Sequence, residues 1–172
     1  MPNSTCCLSK MIRCLLCWLI LSPSYASADL ALNNGTTTTL DSVTDSENIS
    51  LGAGIEIINT DGTSDVLTGT ISGSGELVES GGGTLTLTGS NTYSGGTLVE
   101  GGSTLSVGAS ANLGNASGGL TLDNGTLLTT SGITTSENIS LGTSGSDIIN
   151  TDRVSDTLTG TISGSGELLI FY

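Results

Sequence analysis

Apolar side chains alternate with polar ones in many short runs along this chain, and glycines separate the runs. Between Gly75 and Gly114 the alternation places Thr, Ser or Glu beside Leu77, Leu85, Leu87, Leu98, Leu105 and Val107. A period of two is typical of a β-strand with one buried face, and glycine-rich breaks are typical of tight turns. The pattern predicts an all-β fold of short strands, with no helical period after the first 28 residues.

A long internal repeat decides how these strands are arranged. Ser-Glu-Asn-Ile-Ser-Leu-Gly begins at Ser46 and returns at Ser136, an offset of 90 residues, and one insertion near Gly145 makes it 91 further on. A long unit of similar short strands is typical of a stacked solenoid. We expect a right-handed parallel β-helix over residues 46–172, with one copy at 46–135 and a truncated second copy at 136–172. Rungs of roughly 20 residues would give about seven rungs.

The first 28 residues have the pattern of a secretory signal peptide. Lys10 and Arg13 precede an apolar run at 14–22, and Ala26-Ser27-Ala28 is an Ala-x-Ala cleavage site. We expect cleavage between Ala28 and Asp29. The apolar run is too short to span a bilayer stably, so no stable membrane span is expected after cleavage.

Two features of this N-terminal region have an alternative interpretation. A lipoprotein anchored through Cys17 is the alternative to cleavage after Ala28, although the bulky Leu16 disfavours it. Residues 29–45 form a polar segment whose Thr-rich run follows Asn34-Gly35. We expect it to form the N-terminal edge of the fold, with poor order as the alternative.

Composition excludes several classes of function. All four cysteines lie in the leader and there is no histidine, so disulfides, Cys-His sites and Ser-His-Asp triads are excluded after cleavage. The net charge is −13, and without Lys10 and Arg13 one base, Arg153, faces 16 acids, which makes −15. Such a surface repels phosphate, so we expect no nucleic-acid partner. With few aromatic residues, the core is expected to be built from aliphatic side chains and Thr methyl groups.

The only regularly spaced acid pairs are Asp61 with Asp65 and Asp152 with Asp156. Paired carboxylates could serve a secreted carbohydrate-active β-helix enzyme, and this is the catalytic alternative. The recurrence of the pairs fits a repeated turn better, because only Arg153 could assist a lyase. Asp61-Gly-Thr-Ser-Asp65 is also a loose fragment of a calcium repeat, but it lacks the leading Gly-Gly. We therefore expect no catalytic residue, no cofactor and no metal.

One stretch resembles a known family. Residues 83–97 read Gly-Thr-Leu-Thr-Leu-Thr-Gly-Ser-Asn-Thr-Tyr-Ser-Gly-Gly-Thr, and the motif positions are Gly83, Leu85, Leu87, Gly89, Asn91, Tyr93, Gly95, Gly96 and Thr97. This closely resembles the passenger-associated transport repeat, also called the autotransporter-associated β-strand repeat, of bacterial autotransporter adhesins. The resemblance covers roughly residues 48–132 and then restarts.

The resemblance implies a non-enzymatic, exported passenger segment that assists passenger export and folding and takes part in surface adhesion and virulence. It implies an outer-membrane translocator barrel and a host or bacterial surface ligand as partners. Self-association through open solenoid ends is a further expectation. The implied location is the periplasm, the cell surface or outer membrane, or the extracellular space. Because the repeat breaks off after Leu168, a truncated, non-functional gene remnant is the other alternative.

Overall fold

The chain forms an all-β solenoid of about seven turns in the computed structural model, which describes residues 6–7, 30–32 and 35–172. All strand pairs in this part of the chain are parallel. Each complete turn passes through three faces, which we call C, A and B in chain order. The predicted parallel β-solenoid is confirmed, whereas its right-handed sense stays a prediction.

Face A is an eight-stranded parallel sheet. Its strands, in order along the solenoid, are β1 (Cys6–Cys7), β3 (Thr37–Thr39), β6 (Ile55–Asn59), β9 (Glu76–Ser80), β11 (Thr97–Glu100), β13 (Leu120–Asp123), β16 (Ile139–Leu141) and β19 (Ile162–Gly164).

Face B is a seven-stranded parallel sheet. Its strands are β4 (Thr44–Asp45), β7 (Ser64–Leu67), β10 (Thr84–Leu87), β12 (Thr104–Val107), β14 (Thr126–Thr129), β17 (Ser146–Asn150) and β20 (Glu167–Phe171).

Face C is interrupted. It begins with a three-stranded sheet and ends with a two-stranded one, made of β2 (Leu30–Leu32), β5 (Ile49–Leu51) and β8 (Ile71–Gly73), then β15 (Thr134–Thr135) and β18 (Thr157–Leu158). In the two middle turns, residues 91–94 and 109–115 take the place of a strand. The second of these segments contains a 3-10 turn at Ser110–Leu113, a local departure from the purely β prediction.

Inward side chains stack in columns along the solenoid axis. On face B, Leu85, Leu105, Leu127 and Ile149 occupy one column, and all four are buried. Burying each such side chain contributes about 1.5–3 kcal/mol relative to leaving it in water. The alternation read from the sequence therefore corresponds to one buried face on these strands. The prediction was wrong for β11, where Thr97 and Val99 are buried and Leu98 is only partly buried. The expectation of a purely aliphatic core was wrong, because the ring of Tyr93 is buried within it.

The N-terminal prediction is tested only in part. The Thr-rich run forms β3, and β2, β3 and β4 together make the first turn. Cys6–Cys7 pairs with Thr38–Thr39 at the edge of face A. The basic residues, the apolar run and the cleavage-site residues Ala26, Ala28 and Asp29 lie outside the described residues, so the predicted signal peptide stays a prediction.

The internal repeat is out of phase with the solenoid turn. In the first copy β5 lies on face C, β6 on face A and β7 on face B. In the second copy their counterparts β16, β17 and β18 lie on faces A, B and C. One repeat therefore spans four turns and one additional face, and the same sequence is used on two different faces.

Candidate functional site

The motif residues 83–97 form the face B strand β10 and the crossing of face C that follows it, in the middle of the solenoid. Leu85 and Leu87 lie on β10 and point into the core, where both are fully buried. The chain then crosses face C without forming a strand and enters β11 at Thr97. The two Leu positions thus act as ordinary core positions, and the distinctive part of the motif is the crossing at 89–97.

Asn91 joins three successive turns through its side-chain amide. Its Oδ1 accepts a hydrogen bond from the backbone N of Ile71 at 2.8 Å, one turn earlier, and its Nδ2 donates to the carbonyl O of Asn112 at 2.6 Å, one turn later. The Nδ2 of Asn112 in turn donates to the carbonyl O of Gly89 at 2.9 Å. Buried backbone groups need partners, and these two amides supply them where regular strand pairing is interrupted.

Tyr93 fills the core beneath this crossing. Its hydroxyl lies 2.7 Å from Oγ1 of Thr97, and both side chains are buried. Burial raises the pKa of the Tyr93 hydroxyl, while the bond to Thr97 lowers it and the nearby Glu137 raises it. A phenol that stays neutral and hydrogen-bonded can be buried without an unpaired polar group, so the large ring replaces the missing strand on face C.

The motif glycines are needed for two different reasons. At Gly96 the backbone adopts φ 92°, a left-handed conformation that favours glycine. At Gly89 φ is not the constraint, but a Cβ there would lie 2.0 Å from the carbonyl O of Gly69 in the turn below. The same close approach occurs at Gly83 and Gly95.

Residues 77–107 match the family model described as passenger-associated-transport-repeat. The segment is similar to a passenger-associated transport repeat. It comprises nearly all of β9, then β10, the Asn91 and Tyr93 crossing, β11 and β12. The match confirms the resemblance over this segment, which is shorter than the range of 48–132 that was expected. No curated protein and no solved structure matches the chain significantly.

The acid pairs considered for catalysis have structural contacts. Asp65 is buried, its Oδ1 accepts from the backbone N of Val43 at 2.7 Å, and its Oδ2 accepts from Oγ1 of Thr63 at 2.8 Å. Asp156, its counterpart, accepts from the backbone N of Ile133 at 2.9 Å and from Oγ1 of Thr129 at 2.5 Å. These carboxylates connect each turn to an earlier part of the chain rather than facing a groove.

Asp61 and Asp152 lie in equivalent exposed turns. Their backbone N atoms donate to the side chains of Asn59 at 2.8 Å and Asn150 at 3.0 Å. Both have positive φ, 47° and 43°. Among the described residues there is no group of three or more Asp, Glu, His or Cys placed to hold a metal ion. No helix in the described part of the chain is both long and apolar enough to span a membrane.

The burial of the acid Glu79 and its contact with Thr60 were not predicted from the sequence. Oγ1 of Thr60 lies 2.9 Å from Oε1 of Glu79, and both residues are fully buried. A signal was present, because strict alternation from Leu77 places residue 79 on the same, inward side of β9. Because Glu79 is polar, it was not assigned to the core from the sequence.

Proposed function

We propose that this chain is a non-enzymatic passenger segment of an exported autotransporter-type protein, whose repeat assists export and folding outside the cell. The proposal is carried by one observation: residues 77–107, the matched repeat, form consecutive central turns of a continuous parallel solenoid. In a solenoid each turn is stabilised mainly by its neighbours, so a stable central stack can template the turns on either side.

The contacts of the repeat support this templating role. The Leu85 and Leu105 column is fully buried, and the side chains of Asn91 and Asn112 bond three backbone groups across face C. Stacked turns that have an apolar interior and are joined by side-chain hydrogen bonds resist local opening. A chain emerging from a pore could therefore fold onto this stack turn by turn.

The proposed setting follows from the leader and the surface. Residues 1–28 would direct export to the periplasm, and an outer-membrane translocator barrel would carry the segment to the cell surface. Because the acidic exterior would repel acidic partners, the ligand on a host or bacterial surface would be neutral or basic. Adhesion and a contribution to virulence would belong to the assembled passenger.

Whole-turn deletions test the proposal without disturbing strand register. Because Thr84 pairs with Thr104, deleting residues 84–103 removes one turn of the repeat and places β12 on β7. Because Ile49 pairs with Ile71, deleting residues 49–70 removes one turn outside the repeat and serves as the matched control. Each variant would be fused ahead of an outer-membrane translocator barrel and its surface display measured by protease accessibility on whole cells.

We expect the 84–103 deletion to reduce surface display several-fold and the 49–70 deletion to leave it near that of the full chain. Equal display in both variants would show that any turn suffices, and the proposal would then be wrong. Far-UV circular dichroism of the two purified variants separates loss of export from loss of folding.

A further inference from the structure

The interior of the solenoid contains carboxylates that lack a second hydrogen-bond partner. In the described part of the chain four buried carboxylates each have one oxygen with no partner, namely Glu56 Oε1, Glu79 Oε2, Glu137 Oε2 and Asp147 Oδ2. An ionised carboxylate is stable inside a protein only when it is paired or fully hydrogen-bonded. These positions therefore differ from Asp65, where each carboxylate oxygen has a hydrogen-bond partner.

Glu79 is, with Glu56, one of the two that have no exposed surface. It occupies a core column of face A directly between Ile58 and Val99, and its exposed fraction is 0%. Its neighbours along the axis are thus aliphatic, and neither can donate a hydrogen bond. The residue 91 positions further on is Ile170, which lies beyond the point where the repeat breaks off.

Among the described residues no cation compensates the charge of Glu79. The titratable groups on the strands packed against β9 are Glu56 on β6 and Glu100 on β11, with Asp65 on β7 across the corner and Glu76 on β9 itself. All of these are acids. In the described ranges Arg153 is the one basic side chain, and it lies exposed in the turn after β17.

The hydrogen bonds around Thr60 are satisfied best when Glu79 is neutral. Oγ1 of Thr60 lies 2.9 Å from Glu79 Oε1, lies 3.2 Å from the carbonyl O of Ser80, and accepts from the backbone N of Gly83 at 3.1 Å. A hydroxyl has one proton to donate and two lone pairs. With the acid protonated on Oε1, Glu79 donates to Thr60 and Thr60 donates to Ser80, so every contact is used. With the acid ionised, the single Thr60 proton cannot serve both acceptors.

We propose that the solenoid folds with uptake of a proton from solution at the Glu79 carboxyl, so that acidification favours the folded chain and alkaline solution favours the unfolded one. Burial raises the pKa of Glu79 to about 8 from 4.5, with a lowering contribution from Thr60 and a raising one from Asp65. Burial also raises the pKa of Glu137, against a bond from the backbone of Gly119, and adds to the effect.

The direction of the pH dependence follows from linkage. A group whose pKa is higher in the folded state binds more protons there, so its stabilisation is complete below the unfolded value of 4.5 and is lost as the pH rises through about 8. Since each pKa unit changes the equilibrium constant tenfold, the unfolding equilibrium constant should rise by roughly three-thousandfold across that window from Glu79 alone. This holds whether or not the chain assists export.

The test is urea unfolding of the full chain between pH 5 and pH 9, followed by far-UV circular dichroism. We expect the urea midpoint to fall as the pH rises, and the fall to be much smaller in Glu79→Gln, which is neutral throughout. Asp41→Asn, at an exposed position, is the matched control and should keep the slope of the full chain. A Glu79→Gln slope equal to that of the unchanged chain would overturn the proposal.

A second measurement does not depend on the folding of any variant. The unchanged chain is refolded from urea at about pH 6.5 in weakly buffered solution with a pH indicator. Glu79 should take up about one proton per chain, because the unfolded acid is ionised and the folded acid is neutral at that pH. Refolding without net proton uptake would contradict the proposal.

Discussion

The two copies of the internal repeat contain nearly the same residues but differ in burial and in the face they occupy. Ile71 on β8 is 1% exposed, whereas its counterpart Ile162 on β19 is 39% exposed. β8 has a neighbour on each side, β5 below and residues 91–94 above, whereas β19 pairs with β16 alone among the described strands. In a solenoid, burial is therefore set by the presence of a turn on both sides, not by the residue pattern of the turn itself.

The residues that follow the end of the shared sequence, Leu77 in the first copy and Leu168 in the second, differ as well. Glu79 lies in a closed column between Ile58 and Val99, but Ile170 at the equivalent place is 59% exposed. The closed column contains the polar residue, and the open position contains the apolar one. Hydrophobicity alone would have predicted the opposite arrangement.

The largest difference in stability loss between the two copies is expected for substitutions at the equivalent glycines Gly69 and Gly160. A Cβ would lie 2.0 Å from the carbonyl O of Glu47 at Gly69 and 1.9 Å from that of Glu137 at Gly160, so the clash is the same. Gly69 is also confined from above by Gly89. Gly69→Val should lower the free energy of unfolding by about 4 kcal/mol or more, measured by urea unfolding. Gly160→Val should cost about half as much, because the last described turn can shift. Equal losses would show that the outer turn is as rigid as the inner one.

A smaller difference in stability loss between the copies is expected for the equivalent residues Ile71 and Ile162. Ile71→Ala removes a fully packed side chain and should cost about 2–5 kcal/mol. Ile162→Ala removes a side chain already open to water and should cost less than about 1 kcal/mol. Thermal unfolding of both variants checks this. If the loss at Ile162 approached that at Ile71, the outer turn would be covered in solution.

The smallest loss of stability is expected for substitutions at Asn48 and Asn138, and the loss should be the same in both copies. Each Oδ1 accepts from a backbone N one turn later, that of Thr70 and Thr161, at 2.9 Å in both copies. Either residue changed to Ala should cost about 0.5–1.5 kcal/mol, since an exposed hydrogen bond has the same modest net value at both sites. Asn→Asp at each position keeps the acceptor oxygen and serves as the control. A difference of more than about 1 kcal/mol between the copies would mean that the bond depends on the face.

Much of the fold could be predicted from alternation and glycine placement. The strand positions around Leu77, Leu85, Leu98 and Leu105 and the parallel stacking followed from a period of two and a repeated unit. The transport repeat was recognisable from Gly83 to Thr97, and the family match covers that stretch. The crossing itself was not predictable in detail, because the bonds of Asn91 join residues 20 and 21 positions away.

The sequence by itself determined the all-β class, the strand periodicity and the acidic, cysteine-poor character of the chain after the leader, because these depend on local residue order and composition. Tertiary structure alone decided which face each strand joins, since a 90-residue repeat does not divide into whole turns and the phase depends on the length of every corner. It also decided the surroundings of each acid. Glu79 and Glu167 both lie on strands of the repeat, yet one is closed between aliphatic side chains and the other is open to solvent. Stacking, which brings together residues about 20 positions apart, is the physical reason.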